Sequence, residues 1–195
     1  MDKTFNILIV GVGGQGVILA SELLTEAAME AGFDAKKSEV HGMSQRGGVV
    51  SSHVRFATKV YSPLIPAGQA DVVLAFEAAE GLRWAPQVAE NGLLVINTQK
   101  IIPPIAQTKA FSYPEDPIKE AKKIVKRVMA IDGLEVAHKV GNPKLVNTIL
   151  IGAIAKELPI SAEIWEKVIR HRVPKGTEEQ NLNGFAEGMK LTEAL

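Results

Sequence analysis

The chain has 195 residues, 46% of them apolar and 23% charged, a make-up that supports one sizeable buried core and excludes a disordered or fibrous protein. Lysine plus arginine and aspartate plus glutamate number 22 each, so no overall field draws in nucleic acid or an anionic membrane surface, and any anion site must be local. Cysteine is absent, which excludes disulfides, thiolate catalysis and cysteine-held iron-sulfur clusters within these residues.

The start of the chain shows no charged-then-apolar leader and no apolar run reaches membrane length, so a cytoplasmic, membrane-free protein is expected. Residues 6–10 form a short apolar run ending in glycines, and 17–31 carry Leu19, Leu23, Leu24, Ala27 and Ala28 at helical spacing. Strand, tight loop and helix are expected there, with Gly32 closing the helix and a second strand over 33–39 completing a βαβ unit. A polar, glycine-rich stretch over 39–48 precedes an alternating strand in which Val50, Ser52, Val54 and Phe56 share one face. The short connection 57–59 predicts an antiparallel partner at Val60 and Tyr61, which makes the sheet mixed.

Central parallel strands are expected at 71–76 and 93–97, joined by a helix over 78–89 and a Glu90-Asn91-Gly92 turn. Prolines 103, 104, 114 and 117 mark a surface excursion with a short strand around Phe111, then a helix over 118–127 and a last short strand at Ile131. Residues 144–158 are apolar nearly all round and predict a helix buried on most sides, by this chain or by a partner. Ser161 caps an amphipathic helix through Arg172, and Pro174 interrupts it before a polar tail containing Asn181 and Phe185. The expected architecture is a three-layer α/β/α Rossmann-like domain over 1–195, with a mostly parallel, mixed sheet and 159–195 as a C-terminal helical extension.

Gly11-Val12-Gly13-Gly14-Gln15-Gly16 has dinucleotide-fingerprint spacing and sits between a strand and the helix it feeds. Glycines let backbone approach a phosphate, and unpaired amides at a helix start supply donors aligned with its positive dipole end. Glu39, about twenty residues further on, imitates the ribose-binding acid of NAD proteins, so an NAD(P)-binding Rossmann protein is one reading. A tight turn with no ligand is another.

The second glycine-rich segment, Glu39-Val40-His41-Gly42-Met43-Ser44-Gln45-Arg46-Gly47-Gly48, is not needed by a simple NAD domain. In a doubly wound sheet both loops lie past the carboxyl ends of adjacent strands, where Arg46 and the amides of Gly47 and Gly48 face the same anion. Arginine suits this role because its planar fork donates bidentately and stays charged. A lone His41 is more often structural than catalytic, and Ser44 has no evident base beside it.

The pairing of Gly11–Gly16 with residues 39–48 resembles the beta subunits of indolepyruvate:ferredoxin oxidoreductases, within the gamma-type subunits of 2-oxoacid:ferredoxin oxidoreductases. The likeness continues through Pro66, Ala70-Asp71, Ile102-Pro103-Pro104, the Asn147 helix, Val173-Pro174, Glu179, Asn181 and Phe185. His-Gly-Met-Ser-Gln favours the aryl pyruvate branch, since related pyruvate and 2-oxoglutarate subunits usually carry a different second loop. The pattern departs at Lys175-Gly176, where the family often reads proline then lysine, and Lys175 receives no role.

The resemblance implies oxidative decarboxylation of a 2-oxoacid to an acyl-CoA with reduction of ferredoxin. It implies thiamine diphosphate and iron-sulfur clusters in a large partner subunit, in agreement with a cysteine-free chain. On this reading Gly11, Gly13, Gly14, Gln15, Gly16, Ser44, Gln45, Arg46, Gly47 and Gly48 complete the site at the subunit interface and hold a phosphate of coenzyme A or thiamine diphosphate. A purely structural subunit, whose loops shape the partner's pocket without touching ligand, is the remaining alternative.

Overall fold

The computed structural model describes residues 3–41, 48–102 and 112–192. Six strands make one mixed sheet: β1 (Phe5–Val12), β2 (Asp34–His41), β3 (Val49–Ala57), β4 (Ala70–Ala75), β5 (Val88–Asn97) and β6 (Arg127–Ile131). Their order is β2-β3-β1-β4-β5-β6. β1, β4, β5 and β6 run parallel, while β3 is antiparallel to both β1 and β2. The helices are α1 (Val17–Glu30), α2 (Ala78–Trp84), α3 (Pro117–Ile124), α4 (Gly133–Val140), α5 (Val146–Ala155), α6 (Ala162–Arg172) and α7 (Glu178–Leu191).

The strand alternation builds the three layers. Ile7, Ile9, Val72, Leu74, Leu93 and Val95 point to one face, where they meet Leu23 and Leu24 of α1, Leu150 and Ile154 of α5, Trp165 and Ile169 of α6 and Phe185 of α7. Leu8, Val10, Val73, Leu94 and Ile96 point to the other face, against Ala78 of α2 and Ala121 of α3. The expected α/β/α architecture and mixed sheet are therefore present. No helix of the described residues is long and apolar enough to cross a membrane.

Several expectations are corrected. β1, α1 and β2 do not form an adjacent parallel pair, because β3 lies between β1 and β2. The antiparallel partners of β3 are those two strands, and no strand forms at Val60 or Tyr61. Here Arg55 instead holds the connection by donating to the Ser62 and Leu64 carbonyls at 2.9 and 3.1 Å. α2 stops at Trp84, because Pro86 cannot donate within a longer helix, and a 3-10 turn Ala85–Gln87 leads into β5, which runs through Glu90-Asn91-Gly92. α3 ends at Ile124, and Arg127 opens β6. α4 had no counterpart in the sequence reading. Residues 103–111, including Phe111, lie outside the described residues.

The apolar stretch 144–158 resolves into a 3-10 turn Pro143–Leu145 followed by α5. Every residue of α5 from Asn147 to Ala155 is buried within this chain, so its apolarity gives no sign of association. The polar tail is in fact α7. It crosses α5 so closely that a Cβ on Gly152 would overlap the Phe185 carbonyl, and one on Gly188 would overlap the Ile149 carbonyl.

Candidate functional site

The glycine loop begins where β1 ends. Gln15 N donates to Val12 O at 3.2 Å to close a turn, and Gly14 and Gly16 have φ of +99° and +86°, values that β-carbon crowding makes costly for other residues. Gly16 is the N-cap of α1. Gly11 is needed for space, since a Cβ there would come within 2.9 Å of Gln15, Phe76 and Val17 side-chain atoms. Among the described residues no acceptor meets the amides of Gly14, Gly16 or Val17, so the positive end of α1 opens outward.

Gln15 lines the cleft and also braces the fold. Its Oε1 accepts from Val12 N at 2.8 Å, and its Nε2 donates to Phe76 O at 2.8 Å and Gln99 Oε1 at 3.0 Å. It therefore ties together the carboxyl ends of β1, β4 and β5. Asn97 repeats this one strand over, donating to Phe76 O and accepting from Gly133 N, both at 3.0 Å. Glu77, 1% exposed, holds the next stretch: its carboxylate accepts from Glu80 N at 2.9 Å, Ile101 N at 3.0 Å and the Tyr113 hydroxyl. Burial, then this bond to Glu77, pushes the Tyr113 phenol well above its usual range.

These ties frame a cleft of about 500 Å³ lined by Gly13, Gly14, Gln15, Gly16, Phe76, Gln99, Ile101, Leu134, Pro143, Lys144, Val146 and Asn147. It lies at the topological switch point, where the chain leaves β1 for α1 on one face and leaves β4 for α2 on the other, the place where open α/β sheets bind ligands. Among the described residues the lining contains no carboxylate and one cation, Lys144. The amino-terminal ends of α1, α4 and α5 contribute Gly16, Leu134 and Val146 to it. Such an assembly of open donors and positive dipole ends accommodates a phosphate or carboxylate.

The first loop stands where the sequence puts it. The second loop reaches the same corner by an unforeseen route: because β3 is antiparallel, its start lies beside the end of β1 in the pairs Val12 with Val49 and Gly11 with Val50. There Gly13 N donates to Gly48 O at 3.0 Å. Ser44, Gln45, Arg46 and Gly47 lie outside the described residues. Glu39 does not act as a ribose acid. β2 is separated from β1 by β3, and Glu39 Oε1 accepts from Lys37 Nζ at 2.8 Å and Ser21 Oγ at 3.3 Å. Sequence reasoning missed Lys144, Asn147 and Gln99. An Asn142-Pro143 helix start, with Asn142 Oδ1 accepting from Lys144 N at 3.0 Å, was the available signal for the first two.

The sequence and the fold both have counterparts among known proteins. The family model described as pyruvate ferredoxin/flavodoxin oxidoreductase matches residues 6–191. Indolepyruvate oxidoreductase subunit IorB of Thermococcus kodakarensis is 40% identical over 200 residues, covering 99% of this chain and 98% of that protein. A crystal structure of the gamma subunit of a keto/oxoacid ferredoxin oxidoreductase from Geobacter sulfurreducens superposes with a TM-score of 0.72 at 25% identity, covering 98% of this chain and 99% of that one. The fold also recurs, at a TM-score of 0.77 and 20% identity, over 32% of a chain of the 2-oxoglutarate:ferredoxin oxidoreductase of Magnetococcus marinus, a structure with 2-oxoglutarate, coenzyme A and succinyl-CoA bound. This chain belongs to the pyruvate ferredoxin/flavodoxin oxidoreductase family.

Proposed function

We propose that the protein is the small subunit of an indolepyruvate-type 2-oxoacid:ferredoxin oxidoreductase, and that its two glycine loops hold a phosphate group of coenzyme A or thiamine diphosphate where it meets a large partner subunit. The observation that carries the site is the switch-point cleft, with outward amides and, among the described residues, one cation and no carboxylate in its lining. The full-length similarity to subunit IorB and the His41-to-Gln45 segment favour an aryl pyruvate as the oxoacid.

In the complex the 2-oxoacid loses carbon dioxide, its acyl group passes to the thiol of coenzyme A, and the released electrons reduce ferredoxin. When bound, thiamine diphosphate supplies the decarboxylation chemistry and the partner's iron-sulfur clusters carry the electrons. The 195 residues contain no cysteine to hold a cluster, so this chain contributes binding and orientation. The amides of Gly14, Gly16 and Val17 supply fixed donors, Gln15 and Asn97 keep the three strand ends in register, and Glu77 holds the wall that carries Gln99 and Ile101. Arg46 adds a bidentate cation from the second loop. Preorganised donors of this kind require no rearrangement when the substrate arrives.

The test is turnover of the reconstituted complex with Arg46→Ala, alongside a check that the subunits still assemble. Half-saturating coenzyme A or thiamine diphosphate is expected to rise about tenfold or more, the scale of one charge-assisted contact. Unchanged rate and unchanged dependence on both would remove Arg46 from the site. Titration with NADH addresses the dinucleotide alternative: saturable fluorescence enhancement on the isolated chain would replace the present reading.

A further inference from the structure

Asn147 stands at the first turn of α5 and is 9% exposed. Its Oδ1 accepts from Thr148 N at 2.9 Å, while its Nδ2 meets no acceptor among the described residues. That nitrogen faces the glycine loop: a Cβ built on Gly16 would lie 3.3 Å from it. A side-chain amide so nearly enclosed usually spends both of its polar ends, and this one presents its donor to the cleft it lines.

Lys144 stands one helical turn earlier. Its backbone is pinned by Asn142, yet its ammonium meets no carboxylate among the described residues, in contrast to Lys139 with Glu135 and Lys167 with Glu30. Among the described residues, the unpaired Lys144 ammonium and Asn147 amide therefore line the same cleft as the unpaired amides at the start of fourteen-residue α1.

We propose that Lys144 and Asn147 form the second wall of this cleft and bind a phosphate or diphosphate group opposite the glycine-loop amides. The proposal rests on the reading of the cleft as a phosphate site. It gives that site a cation built on the helical scaffold. It also accounts for Gly16, since a side chain there would crowd the Asn147 amide as well as strain the loop.

The experiment uses the reconstituted complex with Lys144→Gln and Asn147→Asp, each checked by melting temperature. Three quantities are read: inhibition by inorganic pyrophosphate, half-saturating coenzyme A and half-saturating thiamine diphosphate. Both variants are expected to weaken pyrophosphate inhibition about tenfold or more, with a larger change in half-saturation than in kcat, as loss of a uniform binding contact requires. The cofactor whose half-saturation moves with pyrophosphate is the one whose phosphate occupies the cleft. Lys144 is exposed, so Lys144→Gln keeps the test decisive even if Asn147→Asp fails to fold. Wild-type pyrophosphate inhibition in Lys144→Gln, or no pyrophosphate inhibition of the wild-type complex, overturns the proposal. If Arg46→Ala weakens binding while these two variants do not, the α5 wall alone is lost. If none of the three moves any constant, the phosphate reading of the cleft falls with it.

Discussion

Glu77 and Glu80 are both buried at the start of α2, but their carboxylates are partnered differently. Among the described residues Glu77 receives three donors and no cation. Glu77→Ala would strand those donors, each costing about 1–3 kcal/mol, so a loss of roughly 3 kcal/mol is expected in urea unfolding. A loss under about 1 kcal/mol would show that the donors find other partners. Glu80 has an Oε2 with no partner among the described residues, and burial raises its carboxyl, only partly opposed by Arg83. A carboxyl raised in the folded state favours folding most below its ordinary value of 4.5, and that contribution is lost as pH rises through the folded value. Glu80→Gln is therefore expected to gain stability over wild type as pH rises above 4.5, the ordinary value of the carboxyl. Parallel pH profiles of the melting midpoint would show that Glu80 is not strained. At this scale Gly11 and Gly16 were legible, because loop spacing alone demands them. The tie made by Gln15 was not, because its partners Phe76 and Gln99 stand 61 and 84 residues away.

At the scale of elements, period and length identify strands and helices well but say nothing about which strand lies beside which. The alternation of Val50, Val54 and Phe56 marked β3 correctly, yet its insertion between β1 and β2 depends on pairings along both its edges. That insertion is what brings Gly48 to Gly13 and removes Glu39 from the site. α7 was illegible for another reason: its buried side consists largely of Asn181, Gly184, Phe185 and Gly188, so close backbone approach replaces the apolar stripe on which periodicity relies. Asn181 accordingly accepts from the Thr148 hydroxyl of α5 at 3.2 Å. The crossing yields a sharp prediction. Gly188→Ala places a methyl against the Ile149 carbonyl, and overfilling of this kind costs about 1–3 kcal/mol or more, even though alanine is the better helix former. Chemical unfolding of the variant should show that loss. A gain in stability would mean that α5 and α7 sit farther apart than described.

For the whole molecule, a chain of zero formal net charge exerts no strong long-range pull on an anion, so on the proposed function affinity comes from enclosure in the cleft. Leu134 on the wall of the cleft and Ile18 on the first turn of α1 are 41% and 42% exposed. A partner subunit closing over this corner would bury them and strengthen every charge interaction inside. If the chain is the small subunit proposed above, the redox centres belong to its partner, since none of the 195 residues is a cysteine able to hold a cluster. A tagged chain expressed alone is thus expected to be colourless and free of iron. Recovered anaerobically from its native cell extract, it is expected to bring down a brown, iron-containing companion that turns over indolepyruvate with a low-potential dye. Leu134→Glu should weaken that recovery by placing a charge at the closing surface, with little effect on the melting temperature of the chain alone, because position 134 is already partly solvated. Undiminished recovery would move the docking corner elsewhere, and a colourless, partner-free monomer from the native extract would contradict the assembly itself.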